Sequence, residues 1–255
     1  MSEPKRYIPL PIRVQLRKEA YFGCVECGNP ILDYHHIIPW SEVRHNEPEH
    51  MLAVCPTHHR EISKRPRNYA YDKKKNPFNA SIGKFRGELV TDKARPSFIM
   101  GTNTFISTPN IFTYYTLPII KYRIENDQSL LSVFIPDQHF WPEIEIVDND
   151  IVANSSIFWD IEFSSNYLRF RKKEGETSLE IDLRGAAALV SGSLSIDGNR
   201  FRFSATKTNF GGAVIKNSTF ENCGCGIGFG DNKYRLLRPN YAMRRPQRVM
   251  QRVKW

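Results

Sequence analysis

The chain lacks any apolar run that approaches the roughly 18 uninterrupted residues of a membrane-spanning helix. Its first residues, MSEPKRYIPLP, also lack the basic-then-apolar order of a secretory signal. We therefore expect a cytoplasmic protein with no membrane partner. With 255 residues, of which 40% are hydrophobic, the chain is long enough to bury a core in one large domain or two modest ones.

Cysteine is scarce, with five in the whole chain, and an odd number does not suit a framework of disulfide pairs. Three of the five, Cys24, Cys27 and Cys55, lie close together in the sequence. In a reducing compartment, clustered cysteines indicate a metal site rather than disulfides. Cys223 and Cys225 lie far away in a glycine-rich stretch without a nearby histidine, and we expect them to be buried small residues rather than a second metal site.

Acidic residues are absent from the end of the chain, where residues 234–255 hold seven Lys/Arg and no Asp/Glu. Residues 1–100 hold 17 Lys/Arg against 11 Asp/Glu, whereas residues 101–233 hold 12 against 16. A mildly acidic middle between basic ends indicates that the ends contact a polyanion such as nucleic acid. Charge that serves only solubility would give the same pattern, and the tail could equally be a disordered solubilising end.

The N-terminal part of the chain combines helical and strand-like patterns. Apolar residues recur at helical spacing over residues 12–22, and the short apolar runs at 31–38 and 51–54 suit two strands of a hairpin. Pro56 and Thr57 suit the first turn and cap of a further helix. The predicted order is therefore helix, cysteine knuckle, strand, loop, strand, helix.

The rest of the chain divides into a basic connecting arm, a β-rich domain and the tail. Residues 64–95 are rich in Lys, Arg, Asn and Pro with little periodicity, which predicts a linker or an irregular arm. From residue 104 onward, β-favouring runs alternate with turn clusters, which predicts an all-β domain of a sandwich-like or short β-helix-like kind. The fold class is therefore α+β, with predicted boundaries at 1–66 for the mixed domain, 67–103 for the arm, 104–233 for the β-domain and 234–255 for the tail.

Four potential metal ligands are paired at knuckle spacing in the mixed domain. Cys24 and Cys27 form a C-x2-C pair, and Cys55 with His58 forms a C-x2-H pair further along the chain. Four soft or borderline ligands paired in this way predict a closed tetrahedral zinc site. Its role would be structural, because so short a segment cannot build a sufficient core by itself.

Six of the seven histidines lie between Cys24 and His59, which is more than a zinc site uses. The string HHIIP at residues 35–39, followed by HMLAVCPTHH at residues 50–59, resembles the HNH, or ββα-metal, endonucleases of the zinc-containing subgroup. In that subgroup a C-x2-C pair precedes an HHI-P strand, and a second strand ends in a cysteine knuckle directly followed by a histidine. The resemblance covers about residues 12–63 and implies a zinc-stapled ββα fold there.

The resemblance implies roles for the histidines that the zinc site leaves over. His35 would be a ligand of a catalytic divalent metal, His59 a second ligand of that metal, and His36 the general base that takes a proton from the attacking water. Adjacent residues on a strand point to opposite sides, which suits one histidine binding the metal while its neighbour stays free. The metal, Mg²⁺ or another divalent ion, would neutralise charge that develops at the scissile phosphate.

Two positions depart from the family pattern. His50 stands where the family has its central asparagine, and we assign it to the catalytic group because an imidazole can supply a loop-fixing hydrogen bond or bind metal. Asn46 could substitute for it if the loop register shifts. Ser63 stands one helical turn after His59, where some relatives have another ligand, so a phosphate oxygen or water would fill that position.

The remaining histidines have simpler interpretations. His45 is expected to be a loop residue rather than a ligand, and His139 a structural or surface residue. For the adjacent pair His35 and His36, the alternative to catalysis is that both are packed and merely hydrogen-bonded.

The resemblance implies a DNA-cleaving enzyme with duplex DNA as its partner, in restriction, anti-phage defence or a mobile element. The β-domain would supply target choice, trigger sensing or assembly. Because one ββα site cuts one strand at a time, we expect a homo-oligomer built through the β-domain. The alternatives are a zinc-stabilised nucleic-acid-binding module without catalysis, which the substitution at His50 keeps open, and an RNA-cleaving toxin with the same site.

Overall fold

The computed structural model describes residues 6–91 and 94–230 and shows an α+β chain with few, short helices and many β-strands. The predicted tail at residues 234–255 lies outside the described residues. Within the described ranges, no helix is long and apolar enough to cross a membrane. The α-helices there are α1 (Leu10–Glu19), α2 (Pro56–Ile62), α3 (Arg67–Lys75) and α4 (Phe78–Ile82), and short 3-10 helices lie at Pro48–His50 and Ser155–Ile157.

Strands account for most of the regular structure. In chain order they are β1 (Asp33–His36), β2 (Met51–Val54), β3 (Lys84–Glu88), β4 (Ser97–Met100), β5 (Asn103–Ile106), β6 (Asn110–Tyr114), β7 (Leu117–Glu125), β8 (Gln128–Pro136), β9 (Pro142–Val147), β10 (Asp150–Asn154), β11 (Asp160–Ser164), β12 (Tyr167–Lys173), β13 (Glu176–Asp182), β14 (Ala188–Ile196), β15 (Asn199–Phe203), β16 (Thr208–Phe210), β17 (Ala213–Ile215), β18 (Thr219–Glu221) and β19 (Cys225–Phe229).

The chain divides into two compact units that alternate along the sequence. Among the described residues, unit 1 takes those up to Leu89 together with Val152–Glu180, and unit 2 takes those of Val90–Ile151 together with those from Ile181 to Gly230. The sequence-based division differs, because it places residues 152–180 in the β-domain and starts that domain at residue 104. Local patterning does not reveal this exchange, since a strand has the same alternation whichever core it joins.

Unit 1 contains a ββα arrangement made of β1, β2 and α2. The two strands are antiparallel, with Asp33 opposite Val54 and His36 opposite Met51. α2 follows β2 after the single residue Cys55. All four residues of β2 are buried, and most of them join one apolar cluster, where burial stabilises by about 1.5–3 kcal/mol for each large side chain. The order of elements agrees with the order predicted from the sequence.

Residues 67–88, predicted to belong to an irregular basic arm, instead form α3, α4 and β3. Tyr69 and Tyr71 of α3 pack against the apolar cluster of the ββα arrangement. Lys73 of the same helix lies 2.9 Å from a carboxylate oxygen of Glu26. The lysine-rich run is therefore a packed helix, because Ala70 is buried in the cluster and two tyrosines, which hydrophobic patterning undervalues, pack against it.

The hairpin formed by β11 and β12 also belongs to unit 1. Its residues Phe163 and Phe170 pack edge-to-face on Phe85 of β3, with ring centroids 5.8 and 5.9 Å away. Arg17 of α1 donates two hydrogen bonds to the carboxylate of Asp160, at 2.9 and 2.8 Å. The hairpin therefore contacts β3 through an aromatic cluster and α1 through a bidentate ion pair.

The described part of unit 2 consists of strands without helices, as an all-β domain requires. β6 to β9 form one antiparallel run, with β19 parallel to β6. β14 to β17 form a second antiparallel run, with β4 parallel to β14. The core of unit 2 includes the buried aromatic side chains of Phe112, Phe201, Phe203 and Phe210.

Candidate metal centre and histidine cluster

Cys24, Cys27, Cys55 and His58 meet at the start of α2, with their ligand atoms all within 4.8 Å of one another. His58 Nδ1 lies 3.3 Å from Cys55 Sγ and 3.6 Å from Cys24 Sγ, and Cys27 Sγ lies 3.9 Å from Cys55 Sγ. Around a tetrahedral zinc ion, neighbouring ligand atoms are about 3.5–3.8 Å apart. The quartet can therefore hold a metal ion such as zinc.

The backbone of the knuckle explains why its two cysteines face one point. Gly28 N–H donates to Cys24 O at 2.8 Å, which closes a tight turn, and Gly28 has the left-handed φ of 74° that favours glycine. A Cβ atom at Gly28 would collide with the side chain of Asn79. Asn79 belongs to α4 and donates to Tyr21 O at 3.0 Å. Asn79, a residue of the predicted arm, therefore packs against the turn that holds the two cysteines.

Burial opposes ionisation of all three thiols of the quartet, but hydrogen bonds to His58 and to the other two cysteines nevertheless lower the pKa of Cys55. Burial raises the pKa of Cys24 to about 12, and burial also raises the pKa of Cys27. None of the cysteines is in a disulfide. A coordinating metal ion deprotonates thiols outright. A bound ion would therefore supply the positive charge that balances three closely packed thiolates.

His35 and His59 face each other on one side of the hairpin, with ring centroids 5.3 Å apart. His59 Nδ1 lies 3.2 Å from Asp33 Oδ2. Asp33 and His35 are two residues apart on β1 and therefore share a face of the strand. Burial, followed by the neighbouring His59 and His36, lowers the pKa of His35 to about 4. The His35 imidazole is therefore neutral at physiological pH and has a lone pair to offer.

His36 meets different neighbours. Its Nε2 donates to the backbone carbonyl of His45 at 3.1 Å, and its ring packs against the rings of Trp40 and His45, at 5.5 and 5.1 Å between centroids. The side chain of Asn46 is a further hydrogen-bond partner. Burial, and then the nearby His45, lowers the pKa of His36 against the opposing effect of these hydrogen bonds.

His50, at the position where the resemblance places a central asparagine, lies near His45 rather than in the His35–His59 pair. Its Nδ1 is 2.8 Å from the hydroxyl of Tyr71, and its ring centroid is 5.9 Å from that of His45. Its backbone carbonyl accepts from Ile37 N–H at 2.8 Å. Of the two roles that the sequence left open, fixing the loop suits these contacts better than binding metal.

From the sequence, Asp33 was not identified as part of this site, and the burial of His45 was not predicted. Asp33 could have been found, because a carboxylate two residues before His35 must share its face of a strand. His45 lies in a loop, as predicted, but only 5% of its surface is exposed. No sequence pattern indicates that burial, because it depends on how the loop folds back on itself.

Other expectations have mixed outcomes. His139 is exposed, as a surface residue would be, and the hydroxyl of Ser63 donates to His59 O at 2.8 Å. The expectation that Cys223 and Cys225 are buried is wrong, since Cys225 is exposed and Cys223 half-buried. Within residues 6–91 and 94–230, the quartet is the one group placed to hold a metal by the proximity of three or more ligand atoms.

Comparison with known proteins identifies no relative. No protein-family model matches the chain, and no curated protein or solved structure matches it significantly.

Proposed function

We propose that unit 1 is a metal-dependent endonuclease of the HNH type that hydrolyses phosphodiester bonds of DNA. The observation that carries the proposal is the different surroundings of two adjacent histidines. His35 faces His59, whereas His36 donates to the carbonyl of His45. A hydrolase of this kind needs one imidazole at a metal and another that can accept a proton. A plain zinc finger needs neither.

His35 and His59 would hold the divalent metal, and Asp33 would orient His59. A carboxylate only accepts hydrogen bonds, so the Asp33 contact puts the proton of His59 on Nδ1 and leaves the lone pair on Nε2. When bound, Mg²⁺ or another divalent ion would supply positive charge beside the scissile phosphate. His50 would stabilise the loop through Tyr71.

His36 would accept a proton from the attacking water. Because a carbonyl only accepts hydrogen bonds, the contact with His45 O puts the proton of neutral His36 on Nε2 and leaves the lone pair on Nδ1. The hydrogen bond with the Asn46 side chain favours the protonated ring, so it would assist the uptake of a proton. Burial lowers the pKa of His36, so the neutral form predominates at physiological pH. The same carbonyl would stabilise the imidazolium that forms after proton transfer.

Exposed cations support a polyanionic substrate. Arg60, Lys64 and Arg65 are exposed on α2 and directly after it, and α2 also contains His58 and His59. Lysine and arginine side chains supply most of the sequence-independent affinity for phosphate backbones. A nucleic acid therefore suits this part of unit 1 better than a small neutral substrate.

A substrate panel tests the proposal. The zinc-loaded full chain would be offered supercoiled plasmid, linear duplex DNA, single-stranded DNA and RNA, each with Mg²⁺ or Mn²⁺. Cleavage of DNA supports the endonuclease. Binding to nucleic acid without cleavage would instead support a zinc-stabilised binding module, and cleavage confined to RNA would support an RNA-cleaving toxin.

The proposal extends to a role in restriction or anti-phage defence, with unit 2 supplying target choice, trigger sensing or assembly. Since one ββα site cuts one strand, a double-strand break needs two sites or successive nicks. We therefore include a homo-oligomer assembled through unit 2. Light scattering under cleavage conditions tests this part, and a monomer that makes double-strand breaks would contradict it.

A further inference from the structure

Both ring nitrogens of His45 form hydrogen bonds with the backbone of its own loop. Its Nε2 donates to Ile38 O at 3.0 Å, and its Nδ1 accepts from Glu47 N–H at 3.3 Å. A carbonyl only accepts and an amide N–H only donates, so the tautomer of His45 is fixed with the proton on Nε2. The ring therefore links the two ends of the segment from residue 38 to residue 47.

The backbone carbonyl of His45 in turn receives the hydrogen bond from His36 Nε2, at 3.1 Å. The His45 ring also packs between two other imidazoles, 5.1 Å from His36 and 5.9 Å from His50 between centroids. Since His45 is 5% exposed, water has little access to replace its two bonds. His45 thus positions its own backbone carbonyl against His36 Nε2, and its ring packs against the His36 ring.

We propose that the imidazole of His45 is a positioning residue that sets the orientation and the tautomer of His36. It holds the loop so that the carbonyl of His45 meets His36 Nε2, which keeps the His36 lone pair on Nδ1. The importance of this for catalysis rests on the proposed function, in which His36 is the general base. The arrangement of the two tautomers rests on the hydrogen bonds alone.

The alternative is that His45 merely fills space in the loop. A space-filling role would be met by an apolar side chain of similar size, whereas the proposed role needs a donor and an acceptor together. Glutamine has both on one amide group, and leucine has neither. His45→Gln and His45→Leu are therefore a matched pair that separates the hydrogen bonds from the volume.

The first measurement is made without activity, by nitrogen-15 NMR of the imidazoles in the zinc-loaded full chain. The expected result is that His36 and His45 are both in the Nε2–H tautomer, and that His45→Leu moves the ring signals of His36 while His45→Gln restores them in part. Zinc content and the circular dichroism spectrum serve as folding controls. A wild-type His36 in the Nδ1–H tautomer would overturn the proposal, even if neither variant folds.

The second measurement is single-turnover DNA cleavage by the same three proteins. A misplaced general base should lower the maximal rate about 10- to 100-fold in His45→Leu, with substrate affinity unchanged, and His45→Gln should recover part of the loss. Equal rates and equal His36 spectra in wild type and His45→Leu would overturn the proposal. If the wild type cleaves nothing, the proposed function fails, while the NMR measurement still decides the role of His45.

Discussion

Arg17 and Asp160 form a buried ion pair within unit 1 although 143 positions separate them in the sequence. The Arg17 side chain is 9% exposed and that of Asp160 is not exposed at all. A second contact of Arg17, to the hydroxyl of Tyr34 at 3.0 Å, reaches the strand that also carries His35. The ion pair therefore connects the β11–β12 hairpin with the ββα arrangement.

Removing the charge of Asp160 should destabilise unit 1 strongly. Asp160→Asn leaves the buried guanidinium of Arg17 without its main carboxylate, and breaking a buried pair in this way costs about 3–5 kcal/mol. Arg67→Ala is the matched control, because Arg67 and Glu42 form a pair in which both side chains are 50% exposed, worth about 0–1 kcal/mol. Urea denaturation measures both changes, and equal losses would contradict the importance of the buried pair.

The cysteine and histidine quartet should give the purified protein one tightly bound zinc ion per chain. Cys55→Ser should lose the ion and the folded ββα arrangement, because a structural zinc site contributes to folding directly. Cys225→Ser is the control, since Cys225 is an exposed cysteine outside the quartet. Elemental analysis after dialysis checks the metal content. Full zinc retention in Cys55→Ser would show that the quartet is not the zinc site.

The contact between Asp33 and His59 should matter for the second, divalent metal. Asp33→Asn removes the carboxylate that orients the imidazole, and the loss of such a partner typically weakens metal affinity about 10- to 100-fold. Asp72→Asn, an exposed carboxylate on α3, is the control. Titration of Mn²⁺ into the zinc-loaded full chain by electron paramagnetic resonance measures the affinity. Unchanged Mn²⁺ binding in Asp33→Asn would remove Asp33 from the site.

Unit 2 should depend on its aromatic core. Phe112 is fully buried and contacts Phe201 and Phe210, each at 5.0 Å between ring centroids, so Phe112→Ala should lower the free energy of unfolding of unit 2 by about 3–5 kcal/mol. Val214→Ala, at a side chain that is 56% exposed, should change it little. Thermal unfolding followed by near-ultraviolet circular dichroism compares the two. A small effect of Phe112→Ala would mean that the core repacks freely.

The order of elements in the ββα arrangement and the metal quartet could be predicted from the sequence because both follow from local spacing. Knuckle spacing places ligands at a turn, and strand alternation separates His35 from His36. α3 could not be predicted, because its packing relies on the small residue Ala70 and on the partly buried Tyr69 and Tyr71 within a lysine-rich run. The sequence also could not predict that residues 152–180 belong to unit 1, because this depends on contacts between residues as distant in sequence as Arg17 and Asp160.

The most direct test of the central claim is plasmid nicking by the zinc-loaded full chain with Mg²⁺ or Mn²⁺, comparing wild type with His36→Ala. The account predicts that wild type converts supercoiled plasmid to the open circular form. His36→Ala should lower that rate by about 10²–10⁴-fold, with zinc content and DNA affinity unchanged, because the general base is missing. Equal nicking by both proteins, or none by either with any divalent metal, would contradict it.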